Sequence, residues 1–306
     1  MKKLFVNRKP IDGPTGGGNL FLKALYSFSE DFGYKIVDKP QESDFIFVMD
    51  PRPDGQDVES FIENLTKYNK PIIHRVNEID SKRSRSINID PLLRRTSEIS
   101  QKTKGLSIFV SKWLQEEHQK LGWHCSNVSV FYNGIDLSLF KDYNNKLNNG
   151  KINICIAHWS ADPGKGTELH SFLDDFVGKY YKDYSFTYIG RPNFVHKNSN
   201  IIPPLYGKEL AIETSKYDIC INGSMNDPAS NSILEAISCG LPTYAPEFGG
   251  GSKELVGEDH IWKTLTDVEQ LLLNKKFQKN ENGIRLRSWE ECIKEFFEII
   301  EEKVKV

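Results

Sequence analysis

Short apolar runs alternate with amphipathic, helix-like stretches along almost the whole chain, and this alternation limits the folds open to it. In the first half, "KLFVN", "YKIVD", "DFIFVMD", "PIIHRV" and "LSIFVS" are rich in Val, Ile and Phe and are bounded by turn residues, so they read as strands. Between them, "NLFLKALYSFSEDFG", "DVESFIENLTKYN" and "DPLLRRTSEISQKT" carry helical spacing, and "SKWLQEEHQKLG" follows the last strand and stops on Gly122. Regular strand–helix alternation implies a parallel sheet with helices on both faces. The polar stretch Lys141 to Lys151 then interrupts the pattern and reads as a linker. Beyond it the alternation resumes with "INICIAH", "SFTYIG", "DICING" and "LPTYAP" as strands. "GTELHSFLDDFVGKYY", "KELAIETSKY" and "SNSILEAISC" are the intervening helices, the last stopping at Gly240. The chain closes on a helix with Cys292, Ile293, Phe296, Phe297 and Ile300 on one side.

The expected fold is therefore α/β, with two Rossmann-like, doubly wound parallel-sheet domains facing each other across a cleft. Residues 1–145 would form the first, 146–287 the second, and 288–306 a helix crossing back to the first. At 306 residues the chain has room for two domains of about 150 residues, each with its own core. A net charge of −2 gives no reason to expect nucleic-acid binding. The five cysteines are scattered with no C-x-x-C pair, which suits buried thiols in a reducing compartment and speaks against a zinc site. The opening "MKKLFVNRKP" has too short an apolar core for a signal peptide, and the strongest apolar run, Phe45 to Met49, cannot span a bilayer. A cytoplasmic protein is expected, with peripheral membrane contact left open.

In such sheets ligands bind beyond the carboxyl ends of strands, so function should sit on loops that follow strands. Four loops stand out. The first, "DGPTGGGN", holds Gly16, Gly17 and Gly18, which would let backbone N–H groups approach an oxyanion. A plain surface loop is its bland reading, and the spacing is not the dinucleotide-binding G-x-G-x-x-G. The second, "HRVNEID", places His74 at a strand end, equally suited to a cleft or a core. The third, "AHWSADPGKG", places Lys165 between two glycines just before a helix, as a phosphate site would require; a solvated lysine is the alternative.

The fourth loop opens "NDPASNSILEAISCGLPTYAPEFGGGSKE", from Asn226 to Glu254. Asp227 follows a strand directly, Ser230, Asn231 and Ser232 open a helix whose first N–H groups lack internal partners, and Glu235 lies one turn in. Two readings compete on equal terms. Ser232-x-x-Glu235 matches a capping box, in which both side chains bond the backbone. Alternatively, the same residues form an anion and hydroxyl site.

The assembled pieces resemble the GT4 family of retaining glycosyltransferases, which have the GT-B fold. The family signature, Glu-x7-Glu followed by Ala-x-x-x-Gly-x-Pro and Gly-Gly-x-x-Glu, is matched here from Asp227 through Glu235 and "AISCGLP" to "GGGSKE" at Glu254. The glycine loop, His74, "FVSKWL", "YNGIDLSLF", Lys165-Gly166 and Ser288-Trp289 follow in the family's order, so the likeness covers nearly the whole chain. It implies transfer of a sugar from a nucleotide-diphosphate-sugar to a hydroxyl acceptor (a glycan, polysaccharide or lipid-linked carrier) with retention of anomeric configuration and no metal or other cofactor. By position, Glu235 would hold the ribose hydroxyls. Ser230, Asn231 and Ser232 would offer donors to the diphosphate or sugar, Lys165 would neutralise the diphosphate, and Gly17 and Gly18 would close on it. Asp227 and His74 would face the transferred sugar as the catalytic pair.

Two positions depart from the family. Asp227 stands where a glutamate is usual, and Ser160 where an arginine is usual; Arg191, in "YIGRPN", could supply the missing charge. These departures keep a second class of reading in play, a non-catalytic member that binds a glycan or partner, and a nucleotide-sugar epimerase is a third. The segment Ser81 to Arg95, with five basic residues and one acid, suits contact with anionic lipid at the inner face of a membrane, although a solvated helix face is its plainer reading.

Overall fold

The computed structural model describes residues 1–13, 16–52, 58–82 and 88–304. The basic segment Ser81 to Arg95 and the glycine loop after the first strand therefore lie partly outside the described residues. The chain divides into two compact units, Met1–Gly134 with Ser288–Val306, and Ile135–Arg287.

The first unit holds β1 (Lys2–Val6), α1 (Gly17–Phe28), β2 (Tyr34–Val37), β3 (Phe45–Val48), α2 (Val58–Thr66), β4 (Ile72–Val76), α3 (Asp90–Lys102), β5 (Leu106–Phe109), α4 (Lys112–Lys120) and β6 (Val128–Val130). The six strands are parallel, in the order β2-β1-β3-β4-β5-β6. Every residue of β3, β4 and β5 is buried, the mark of strands covered on both faces.

The second unit holds β7 (Ile152–His158), α5 (Thr167–Lys179), β8 (Tyr184–Gly190), β9 (Asn200–Ile202), α6 (Gly207–Thr214), β10 (Ile219–Ile221), α7 (Asn231–Ser238), β11 (Thr243–Pro246), α8 (Ser252–Val256), β12 (Ile261–Trp262) and α9 (Leu265–Asn274). Its parallel sheet runs β12-β11-β10-β7-β8-β9. Counted from β7, this is the order 3-2-1-4-5-6 of a dinucleotide-binding sheet, and the direction of winding reverses between β7 and β10.

The last helix, α10 (Trp289–Lys303), belongs to the first unit. A capping box starts it: the Glu291 N–H donates to Ser288 Oγ at 3.1 Å and the Ser288 N–H to Glu291 Oε2 at 2.8 Å. Its apolar face, Cys292, Ile293, Phe296, Phe297 and Ile300, is wholly buried in a core shared with β1 and α1. Phe296 lies 5.3 Å from Phe21 and 5.2 Å from Phe47, and Phe297 stacks on Tyr34 at 3.9 Å.

Three differences from the sequence reading have physical causes. The division falls after Gly134, not after residue 145, because the polar stretch is pinned to the second unit. There Ser238 Oγ donates to Phe140 O, the Tyr143 N–H to Ser215 Oγ, and the Leu147 N–H to Lys216 O. The short strands β6, β9 and β12 went unforeseen because two or three residues cannot establish a period. Helices α8 and α9 were also unforeseen; α8 is only five residues long and starts on the triple glycine. No described helix is long and apolar enough to cross a membrane.

Candidate functional site

The winding reversal in the second sheet puts the loops after β7 and β10 side by side, where sheets of this kind bind ligands. Glycine makes their close approach feasible. Gly166 has φ +97°, and a Cβ there would come within 2.6 Å of the Cα and carbonyl oxygen of Gly223. Backbone bonds then knit three loops together. The Met225 N–H donates to Gly164 O at 2.8 Å, the Asn226 N–H to Phe248 O at 3.0 Å, and the Asp227 N–H to Gly249 O at 3.2 Å. The Gly251 N–H returns to Asp227 O at 2.9 Å.

This framework holds two opposite charges together. Lys165 Nζ lies 2.6 Å from Asp227 Oδ2, with side chains 19% and 8% exposed. Asp227 Oδ1 accepts the Ala229 N–H at 3.2 Å, which fixes the carboxylate as α7 begins. Lys165 and Asp227 are 62 residues apart in sequence, and the fold unites them.

At α7 the structure excludes the capping-box reading of the motif. The N-cap is Ser230, so Glu235 lies beyond the N3 position a capping box requires, and no side chain caps the helix. Ser230 Oγ instead lies 3.0 Å from Ser232 Oγ, which also accepts from Asn222 Nδ2 at 3.3 Å. The Ser232–Glu235 box is therefore not formed. The Glu235 carboxylate makes no hydrogen bond or ion pair among the described residues. Part of its surface meets solvent, yet its surroundings are dense enough that burial pushes its pKa up to about 7. An unneutralised half-buried carboxylate costs stability, which is a reason to look for a function.

His158, the last residue of β7, was quoted in the sequence reading without a role. It is 6% exposed, and its Nε2 has no hydrogen-bond partner. Burial, then Lys165 and His170, hold its pKa well below the usual histidine value, with Asp227 opposing. It is thus a neutral imidazole near the Lys165–Asp227 pair. The sequence signal was a histidine at a strand end, the same signal that drew attention to His74.

His74 is corrected by its position. It is fully buried, with Nδ1 2.8 Å from Ser97 Oγ, and burial pulls its pKa down to about 3. Strand alternation turns it, with Ile72, toward the core beneath α2 and α3, so its side chain meets no solvent. Arg191 is exposed in the loop after β8, and its guanidinium makes no contact with the Lys165–Asp227 pair. Gly17 and Gly18 open α1 in the first unit, after an uncapped Gly16. Lys165, Asp227, Ser230, Asn231, Ser232 and Glu235 all lie on the loop after β7, the loop after β10 and α7. Among the described residues, no group of three His, Cys, Asp or Glu side chains could hold a metal ion.

No protein-family model matches the chain, and no curated protein sequence matches it. Solved structures do. HepE of Anabaena, solved in complex with UDP and glucose, superposes with a TM-score of 0.68 at 14% identity, over 99% of this chain and 98% of HepE. Sucrose-phosphate synthase from Thermosynechococcus elongatus gives 0.64 at 12% identity, over 100% and 95% of the two chains. AviGT4, a glycosyltransferase involved in avilamycin A biosynthesis, gives 0.61 at 9% identity, over 99% and 98%. The chain shares their fold: two Rossmann-like units, each a six-stranded parallel sheet with flanking helices, the GT-B fold expected from the sequence.

Proposed function

We propose that the protein is a retaining glycosyltransferase of the GT4 type, moving a sugar from a nucleotide-diphosphate-sugar to a hydroxyl of a glycan, polysaccharide or lipid-linked acceptor at the inner face of a membrane. The observation that carries this reading is the Lys165–Asp227 pair at the winding reversal, on the loop that leads into α7, with the uncommitted Glu235 carboxylate one turn into that helix. The shared fold with UDP-bound HepE supports the same reading.

The chemistry follows from charge. Cleaving the bond between anomeric carbon and phosphate leaves negative charge on the diphosphate and positive charge on the sugar. Lys165 is in place to transfer its ammonium from Asp227 to the departing diphosphate, and the uncapped start of α7 adds backbone dipole. No metal is needed for that neutralisation. Released from Lys165, the Asp227 carboxylate faces the developing cation. Glu235 accepts hydrogen bonds from the ribose hydroxyls, which gives its charge the partners the protein does not supply. The leaving phosphate oxygen takes the acceptor proton on the same face, and the configuration is retained.

Thermal-shift measurements with UDP, GDP and ADP test the reading, since a ligand of the folded state raises the midpoint in proportion to RT ln(1 + [L]/Kd). At least one nucleoside diphosphate should stabilise the protein, and the corresponding nucleotide-sugar should be turned over to free nucleotide. Binding without turnover would favour a non-catalytic carrier, and no binding would remove the proposal.

A further inference from the structure

Arg75, in β4, is a buried cation without a counter-ion. It is 1% exposed and lies on the sheet face opposite His74, among the core residues beneath α1 and α10. One guanidinium nitrogen donates to Asn133 Oδ1 at 2.7 Å, and another reaches Met49 Sδ at 3.8 Å. The guanidinium sits over the Phe21 ring at 4.7 Å, and its Nε has no hydrogen-bond partner. No described carboxylate pairs with it; Glu78 acts only at longer range. Five donors with so few acceptors are costly to bury, and such groups concentrate where a ligand supplies what is missing.

The surroundings fit an oxyanion. Met49 follows β3, beside the winding reversal between β1 and β3 of the first sheet, and Arg75 is the penultimate residue of β4, the next strand. The start of α1 is uncapped and lies close by. A Cβ on Gly18 would come within 2.7 Å of Met49 Cε and 3.5 Å of Asn77 Nδ2. The Met49 side chain, 4% exposed, meets both Arg75 and the place of a Cβ on Gly18, and so links that helix start to the guanidinium. Methionine is unbranched, with several rotatable bonds, so it can swing aside at low cost.

We infer that the first unit carries an oxyanion-binding site made by Arg75, Asn133 and the start of α1, closed by Met49 when empty, and that it takes an acidic group, carboxylate or phosphate, on the acceptor. The assignment to the acceptor rests on the proposed function, which puts the donor on the second unit. The site itself does not rest on it.

Arg75→Met and Arg75→Lys, each made in a Lys165→Ala background so that the second unit's cation does not contribute, test the site by thermal shift. Phosphate, and in a separate arm glucuronate, should raise the midpoint of the parent at constant ionic strength. The arm with the larger response identifies the acidic group. Arg75→Met should melt at or above its parent and lose the response, whereas Arg75→Lys, which keeps the charge but not the fork, should retain part of it. A full response in Arg75→Met, or no anion response in the parent, would overturn the site. Arg75→Met with Lys165 intact should keep the shift given by the nucleoside diphosphate; loss of that shift would instead assign the anion to the donor. Absence of a nucleotide shift in the unmodified protein would sink the proposed function and leave the phosphate result standing.

Discussion

Replacing Glu235 with glutamine should make the protein more stable and a poorer nucleotide binder, and pH should separate the two effects. Burial raises this carboxyl from 4.5 to about 7. That difference corresponds to about 3 kcal/mol against the charged form in the folded protein. The sign follows from proton counting. Between the unfolded and folded values the native state binds more protons than the unfolded chain, so stability falls as pH rises through that window. Below 4.5 the carboxyl is neutral in both states and costs nothing; above about 7 the whole cost is present. Glutamine mimics the neutral acid at every pH. In urea titrations Glu235→Gln should match the wild type near pH 4 and exceed it by about 3 kcal/mol near pH 8. Nucleotide affinity should move the other way. Losing charge-assisted hydrogen bonds to two hydroxyls should weaken binding by about tenfold to a hundredfold. Wild-type affinity should also rise as Glu235 ionises near pH 7, a rise the variant lacks. A variant that is less stable at both pH values, or that binds nucleotide as tightly as the wild type, would refute the reasoning.

Other perturbations test separate parts of the account. Lys165→Ala and Asp227→Ala, combined in a double-mutant cycle read by urea denaturation, should show coupling of about 1 to 3 kcal/mol; additive losses would mean the 2.6 Å pair carries no net interaction. Gly166→Ala should cost at least about 2 kcal/mol in chemical denaturation, since it combines positive φ with a Cβ 2.6 Å from Gly223, and a neutral result would refute the close approach of the two loops. Phe296→Ala, at a fully buried position, should cost about 3 to 5 kcal/mol, and a loss near zero would detach α10 from the core of the first unit.

The alternation of strands and helices was legible because the core strands are buried on both faces and so read as continuous apolar runs, as "FIFV" and "IIHRV" do. The same property misplaced His74. A strand buried on both faces gives no polar–apolar alternation to tell which side chains reach a loop, and a histidine two residues before the strand end is written like one at the end. Arg75, its neighbour, was passed over for the same reason. Lys165 and Asp227 could each be picked out as loop residues after strands, but their contact depends on the strand order, which places β7 beside β10 and which sequence does not reveal. The competition at Ser232 and Glu235 turned on two residues: the N-cap is Ser230 rather than Ser232, and helix ends are the part of a sequence reading least constrained by periodicity.

The central claim is that a nucleoside diphosphate sits on the loops after β7 and β10 and on the start of α7. Amide hydrogen exchange, with and without the nucleoside diphosphate that gives the largest thermal shift, locates it directly. The account predicts added protection in 159–166 and 223–235, lost together with binding in Lys165→Ala. Protection confined to other segments at saturating nucleotide, or an unchanged pattern in Lys165→Ala, would contradict it.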